Sequence, residues 1–254
     1  MFDLQKANMW KRISAWLFDF ILLVIGTVGA ALLLSVVLGY DAQNAKADDL
    51  RASYEQAYGV DFDITGTDYA TLDASVKATY DAAWKAYAED PAVIAQYALM
   101  FQYTILIIVF SILVAFLLLE LLVPLLLGNG QTLGKKIFGI GVMRIDGVKL
   151  SPLLLFIRTV LGKYTVETMV PVLLVVMAVF SPNAFLMLAL IVIGILSVVQ
   201  LGLLIANPAR TPLHDKLAQT VTVDFASQLI FETYDELLAY RKKYNEENKE
   251  SGQL

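Results

Sequence analysis

Met9 to Gly39 reads MWKRISAWLFDFILLVIGTVGAALLLSVVLG, and the reading of this stretch decides the fold. From Ile13 to Leu38 it runs 26 residues with one charge, Asp19. At about 1.5 Å per residue it exceeds the roughly 30 Å of bilayer hydrocarbon, so it reads as a tilted membrane-spanning helix. A rotation of about 100° per residue puts Arg12, Ala15, Asp19, Leu23, Gly26 and Ala30 on one narrow stripe, whose small members admit a neighbouring helix. The stripe is therefore expected to face protein rather than lipid. A charge near the middle of a span costs on the order of 3 kcal/mol on insertion scales, so Asp19 requires a partner, a proton or a cation.

Composition agrees with that reading. Of 254 residues, 58% are hydrophobic, against roughly 45–50% in soluble domains, and mean hydropathy is +0.64. The apolar run at the N-terminus is too long for a cleaved signal, whose apolar core covers about 7–15 residues. The absence of cysteine excludes disulfides, thiolate metal sites and cysteine nucleophiles, and one histidine, His214, leaves no cluster for zinc. No metal centre, cofactor, catalytic residue or nucleic-acid surface is expected.

Outward from the first span, charge alternates in blocks. Residues 1–39 comprise a basic N-terminus and the span. Residues 40–98 hold four basic and eleven acidic residues and read as an extracytoplasmic insertion. Within it, Leu50, Tyr54 and Tyr58, then Leu72, Val76, Tyr80, Trp84 and Tyr87, keep helical spacing, which predicts two amphipathic helices joined along an aromatic seam. Their linker, Asp61-Phe-Asp63-Ile-Thr65-Gly66, imitates the start of a calcium loop. Leu72 stands where that loop needs a bidentate glutamate, so the linker reads as a polar turn.

A second span covers 99–127 and contains Glu120 and Pro124. Proline cannot donate to the carbonyl four residues earlier, so a free carbonyl is expected beside an intramembrane carboxylate. Residues 128–164 carry six basic residues and one acidic residue and read as cytoplasmic. Their opening, GNGQTLGKK, lacks the glycine spacing and the Ser or Thr of a phosphate-binding loop. Ile137–Ile145, the Asp146-Gly147 turn and the return predict a β-hairpin, followed by an interfacial helix over Pro152–Lys163. The apolar stretch 165–206 is split by Ser181-Pro182-Asn183 into a third and a fourth span. In the remainder, 207–254, Pro212 opens a short helix, TVTVD forms a strand beside the hairpin, and a charged tail follows. The expected fold is thus an all-α integral membrane protein with four transmembrane helices, an extracytoplasmic helical insertion and a small cytoplasmic β-hairpin. Fifteen Lys and Arg on one side against four on the other put both termini in the cytoplasm.

Three stretches together resemble the RDD family of small bacterial membrane proteins, named for an arginine and two aspartates. They are Arg12-Ile-Ser-Ala15-Trp-Leu-Phe-Asp19; Gly130-Gln-Thr132-Leu-Gly134-Lys135-Lys136-Ile-Phe-Gly139 through Asp146-Gly147; and Leu213-His214-Asp215-Lys216-Leu217-Ala218-Gln219-Thr220-Val221. The resemblance implies that Arg12, Asp19 and Asp215 are the namesake residues, in a helical module of the bacterial cytoplasmic membrane. It also implies cation/proton exchange for some members and scaffold or accessory roles for others.

Two functions follow from these readings. In the first, Asp19, Glu120 and Gln200 lie at one depth, roughly 10, 12 and 9 Å below the same face, and bind a monovalent cation such as sodium in competition with protons. In the second, the protein is a scaffold that recruits a partner through its extracytoplasmic helices. Four helices are few for a self-contained transporter, which makes a homo-oligomer plausible. Arg12 and Asp215 are expected to pair at the cytoplasmic face, the alternative being that Asp215 only caps a local helix; the alternative for Asp19 and Glu120 is that they share a proton or pair with Arg158 only to fix helix packing. An enzyme is not expected, because no nucleophile–base pair stands out.

Overall fold

A computed structural model describes residues 5–206 and 210–250. Among the described residues, four helices are long and apolar enough to cross a membrane: Met9–Leu38, Pro91–Leu127, Pro152–Phe180 and Pro182–Ala206, of 30, 37, 29 and 25 residues. The second begins at Pro91, eight residues earlier than the apolar run itself. Proline at a first helical position loses no hydrogen bond, and the Asp90 carboxylate accepts from the Ala92 N–H at 2.7 Å. The third differs from expectation. Pro152–Lys163 is not a separate interfacial helix but the first half of a continuous rod to Phe180. The reason is length: Val170–Phe180 alone has 11 residues, and about 20 are needed to cross.

Two helices depart from α geometry. Leu117–Leu122 and Ile157–Met169 are π-helical, and each π segment ends at a proline-containing turn, with Pro124 and Pro171 the second residue beyond it. Removing one N–H from the ladder favours the longer i to i−5 pairing on its N-terminal side. Phe116, at the start of the first π segment, stacks edge-on against Tyr164 in the second, with centroids 5.7 Å apart.

The chain divides into two compact units. Residues 28–111 form one, in which Tyr40–Tyr58 and Ala74–Glu89 enclose a small core of Phe62, Ala83, Tyr87 and Val93, flanked by Leu50, Tyr54 and Tyr80. Much of the predicted aromatic seam is therefore present. Phe62, from the linker, is its centre: its ring lies within 5.2–5.7 Å of Trp84, Tyr87 and Tyr80. The linker's oxygens hold the turn together. Asp61 accepts from the Asp63 N–H, Asp63 pairs with Arg51 at 2.6 Å, and Thr65 and Asp68 make a reciprocal capping box.

Residues 1–27 and 112–254 form the other unit. Its sheet is not the expected hairpin. Strand β1, Ile140–Arg144, pairs antiparallel with β2, Thr220–Asp224, with Val142 opposite Thr222. The Asp146-Gly147 turn forms, with the Arg144 N–H donating to Val148 O at 2.9 Å, but its return is reduced to a single bridge between Met143 and Lys149. Lys149 is drawn off, its N–H donating to Phe231 O at 2.8 Å, and two residues later Ser151 caps the third span. The predicted TVTVD strand takes the vacated edge. The charged tail forms a helix, Tyr234–Glu250, tethered by Leu237 to Val148 and Phe231.

Candidate functional site

The first span presents its predicted stripe inward: Ala15 is buried, and Arg12, Asp19, Leu23 and Gly26 are half-buried, while Trp16, Ile21, Val24 and Ile25 are exposed. Gly26 sets the approach of the second span, since a Cβ there would lie 3.3 Å from the Leu119 side chain. This places Asp19 against the GNGQTLGKK loop. Its carboxylate accepts from the Thr132 hydroxyl and, at 2.8 Å, from the Gly134 N–H, with the Lys135 ammonium 3.9 Å away. Thr132 itself caps the turn of helix Leu133–Ile137, so Asp19 binds the N-terminal end of a helical turn, where N–H groups are unpaired. Gly134 is required by contact: a Cβ would fall 2.4 Å from the Ala15 carbonyl oxygen. Gly130 and Gly139 bracket the loop with φ of 68° and 65°, a backbone conformation that favours glycine.

The third span carries the opposing set. Arg158 bonds Asp215 through Nε at 2.6 Å, and both side chains are almost fully buried. Thr220 also donates to Asp215, at 2.9 Å. Nine residues further along the span, Glu167 accepts from His214 twice, from its backbone N–H at 2.9 Å and at Nδ1, 2.8 Å from the other carboxylate oxygen. The Leu213–Leu217 turn comes this close because residue 162 is glycine; a Cβ there would lie 2.6 Å from that of His214. Burial opposes ionisation of Asp215, but Arg158 overcomes it and holds the carboxyl below the usual carboxylate range. Burial also pushes the His214 imidazole down, towards the neutral form.

Arg12 does not pair with Asp215, as the sequence reading expected. Its guanidinium donates to the Arg210 carbonyl at 2.8 Å, and among the described residues it has no carboxylate within 4 Å. The third span, seated directly over the Leu213–Leu217 turn, supplies the nearer cation.

Glu120, in the first π segment, is paired with Lys163, in the second. Its own carbonyl, which Pro124 was expected to leave free as an oxygen ligand, accepts from the Thr159 hydroxyl at 3.1 Å. Gln200 does not complete a layer with Asp19 and Glu120. Its side chain accepts from the Leu213 N–H at 3.1 Å and contacts Glu167. Of the three predicted ligands, Asp19 and Glu120 line one cavity and Gln200 lies outside its lining.

That cavity, of about 450 Å³, is where the two halves of the site meet. Arg12, Lys135, Arg158 and Lys163 line it against Asp19, Glu120, Glu167 and Asp215, so formal charge balances with His214 neutral. Lys135 is the most crowded of the cations. Burial and the neighbouring Lys163 push its ammonium down to about 8. Lys163 and Glu167 are legible as charges in the sequence but without roles, and Arg158, offered there as a packing partner of Asp19 and Glu120, pairs with Asp215 instead. The sequence does carry one signal for them, a repeat: Glu120-Leu-Leu-Val-Pro124 recurs as Glu167-Thr-Met-Val-Pro171, and the glutamate of each lines the cavity from a proline-ended π segment.

An apolar four-span scaffold whose buried charges are clasped by two extramembrane motifs defines a multi-pass membrane protein. The RDD family model matches residues 6–219, and the chain belongs to the RDD family. No curated protein and no solved structure matches it.

Proposed function

We propose that this RDD protein is a secondary transporter that exchanges a monovalent cation such as sodium for protons through the charged cavity. The observation that carries this reading is the Glu120–Lys163 pair, set where two spans leave α geometry inside that cavity. Local π segments in membrane helices frequently mark functional positions. Lys163 acts as a built-in competitor: a proton or sodium ion binds Glu120 only when the ammonium leaves, and its departure couples occupancy to helix movement. Asp19 is the anchor rather than the exchanging group, because Thr132 and Gly134 each hold one of its oxygens to the loop. The exchange site therefore narrows from a carboxylate layer to Glu120.

Purified protein in proteoliposomes with an internal pH dye tests this. An imposed sodium or proton gradient should drive coupled proton movement in wild type and not in Glu120→Gln. Flux that is absent in wild type, or unchanged in the folded variant, rejects the reading.

The scaffold reading has one observation in its favour, the separately packed 28–111 unit with its own aromatic core. It predicts a stoichiometric copurifying protein that is lost when residues 41–90 are deleted, without gradient-driven flux. The orientation proposed for either reading keeps both termini in the cytoplasm of a bacterial cell, on the charge distribution alone.

A further inference from the structure

The cavity contains two groups that the clasping pairs leave incomplete. Asp215 is fully buried and lines the cavity, yet among the described residues its Oδ2 has no hydrogen-bond partner, while Oδ1 takes both Arg158 and Thr220. An orphaned carboxylate oxygen in a buried site calls for a donor. Arg12 also lines the cavity and lies within electrostatic reach of Asp215. Its guanidinium has five N–H donors, and among the described residues the bond to the Arg210 carbonyl uses one of them.

A guanidinium with donors to spare and a carboxylate with an acceptor to spare therefore face the same space. We infer that the cavity takes a small zwitterionic solute, with its anionic group on Arg12 and its ammonium group on Oδ2 of Asp215. The charge balance is consistent with this: four basic and four acidic side chains line the cavity, and a solute of zero net charge with separated poles leaves that balance intact. The volume of about 450 Å³ lies within the roughly 300–1,000 Å³ usual for small-molecule sites. This inference rests on the transport reading of the same cavity and names the class of solute that the exchanged ion accompanies.

The test uses the full-length protein in detergent, titrated calorimetrically with neutral α-amino acids, with propionate and propylamine as single-charge controls, and with the trimethylated zwitterion betaine. Saturable binding of at least one amino acid is expected, at least tenfold tighter than either control and tenfold tighter than betaine, which has no N–H to give Asp215. Arg12→Gln should weaken that binding at least tenfold while retaining the wild-type melting profile. Asp215→Asn alters the Arg158 pair and is read only as a second variant; it should weaken the amino acid more than propionate. No amino acid binding below about 10 mM, or equal binding by either control, overturns the inference. Gradient-driven proton flux measured on the same preparation separates the two claims: coupled flux without zwitterion binding sinks the solute class and leaves the exchange reading standing.

Discussion

Gly134 has no room for a side chain because Asp19 occupies the space where one would go: a Cβ at residue 134 would sit 2.9 Å from the Asp19 carboxyl carbon and 2.4 Å from the Ala15 carbonyl oxygen. The backbone N–H of that glycine donates to the same carboxylate at 2.8 Å. One residue thus supplies both the donor and the vacancy, and the first span is keyed to the loop after the second. Gly134→Ala should push the loop off the span and lose the bond together with the fit. Overpacking of this kind typically costs about 1–3 kcal/mol, and the backbone carbonyl contact cannot rotate away, so the upper part of that range is expected. Thermal melts of purified Gly134→Ala and Gly139→Ala would check it. Residue 139 has open space around its Cβ position, and only its positive φ opposes a side chain. A smaller loss at 134 than at 139 would contradict the close-contact account.

Arg158, not Arg12, should be energetically coupled to Asp215. The Nε to Oδ1 bond of 2.6 Å is buried, and removing one partner of such a pair costs about 3–5 kcal/mol, since the other charge is left without compensation. A double-mutant cycle with Arg158→Met and Asp215→Asn should be strongly non-additive. The cycle with Arg12→Gln and Asp215→Asn should show a markedly smaller coupling. Equal coupling in the two cycles would restore the direct Arg12 pairing.

Much of the fold was readable because membrane physics makes it so. Four apolar runs, a turn at Ser181-Pro182 and the stripe on the first span follow from hydrophobic length and helical rotation, and each reappears in the structure. The family motifs at Arg12–Asp19, Gly130–Gly139 and Leu213–Leu217 converge on one unit. What could not be read was who pairs with whom. Depth counting placed Asp19, Glu120 and Gln200 at one level but carries no information about helix rotation relative to neighbours, and Gln200 turned towards Leu213 and Glu167. The strand partner differs from the local expectation for a related reason. A tight Asp-Gly turn favours a hairpin locally, but the residues after it were claimed by Phe231 and by the start of the third span.

Lys135 gives a pH signature whose sign is fixed. Its folded value of about 8 lies below the roughly 10.4 of an exposed lysine, so between these values the unfolded chain binds more protons. Stability from this group therefore rises as pH is raised from about 8 towards 10.4, as a buried charge is relieved. Urea denaturation of wild type and Lys135→Met at pH 7.5, 8.5 and 9.5 isolates the effect, because all other titrations are shared. Wild type should gain on the variant across the series. A gap that stays constant, or moves the other way, would show that the ammonium is not held in an unfavourable site.

Orientation follows from charge and is checked without any functional assay. Single cysteines at Asn44 and Asn129, in a chain that has none, are labelled with an impermeant maleimide on intact cells. Residue 44 should react before lysis and residue 129 only after it. Reaction at residue 129 on intact cells would reverse the protein in the membrane.

The Glu120–Lys163 pair separates a structural from an exchanging role. Lys163→Met leaves Glu120 buried without its direct partner and should cost several kcal/mol, or force the carboxyl to take up a proton. The double variant Glu120→Gln, Lys163→Met removes both charges, and such neutral replacements of buried pairs are often close to neutral in stability. The double variant should therefore regain most of the melting temperature lost in the single one. If the pair serves packing alone, recovery of stability brings back whatever gradient-driven flux the wild type shows. If Glu120 is the exchanging carboxylate, the double variant is as stable as wild type and still silent in proteoliposomes, because a glutamine holds no exchangeable proton. A stable double variant with wild-type flux would move the exchange site away from Glu120.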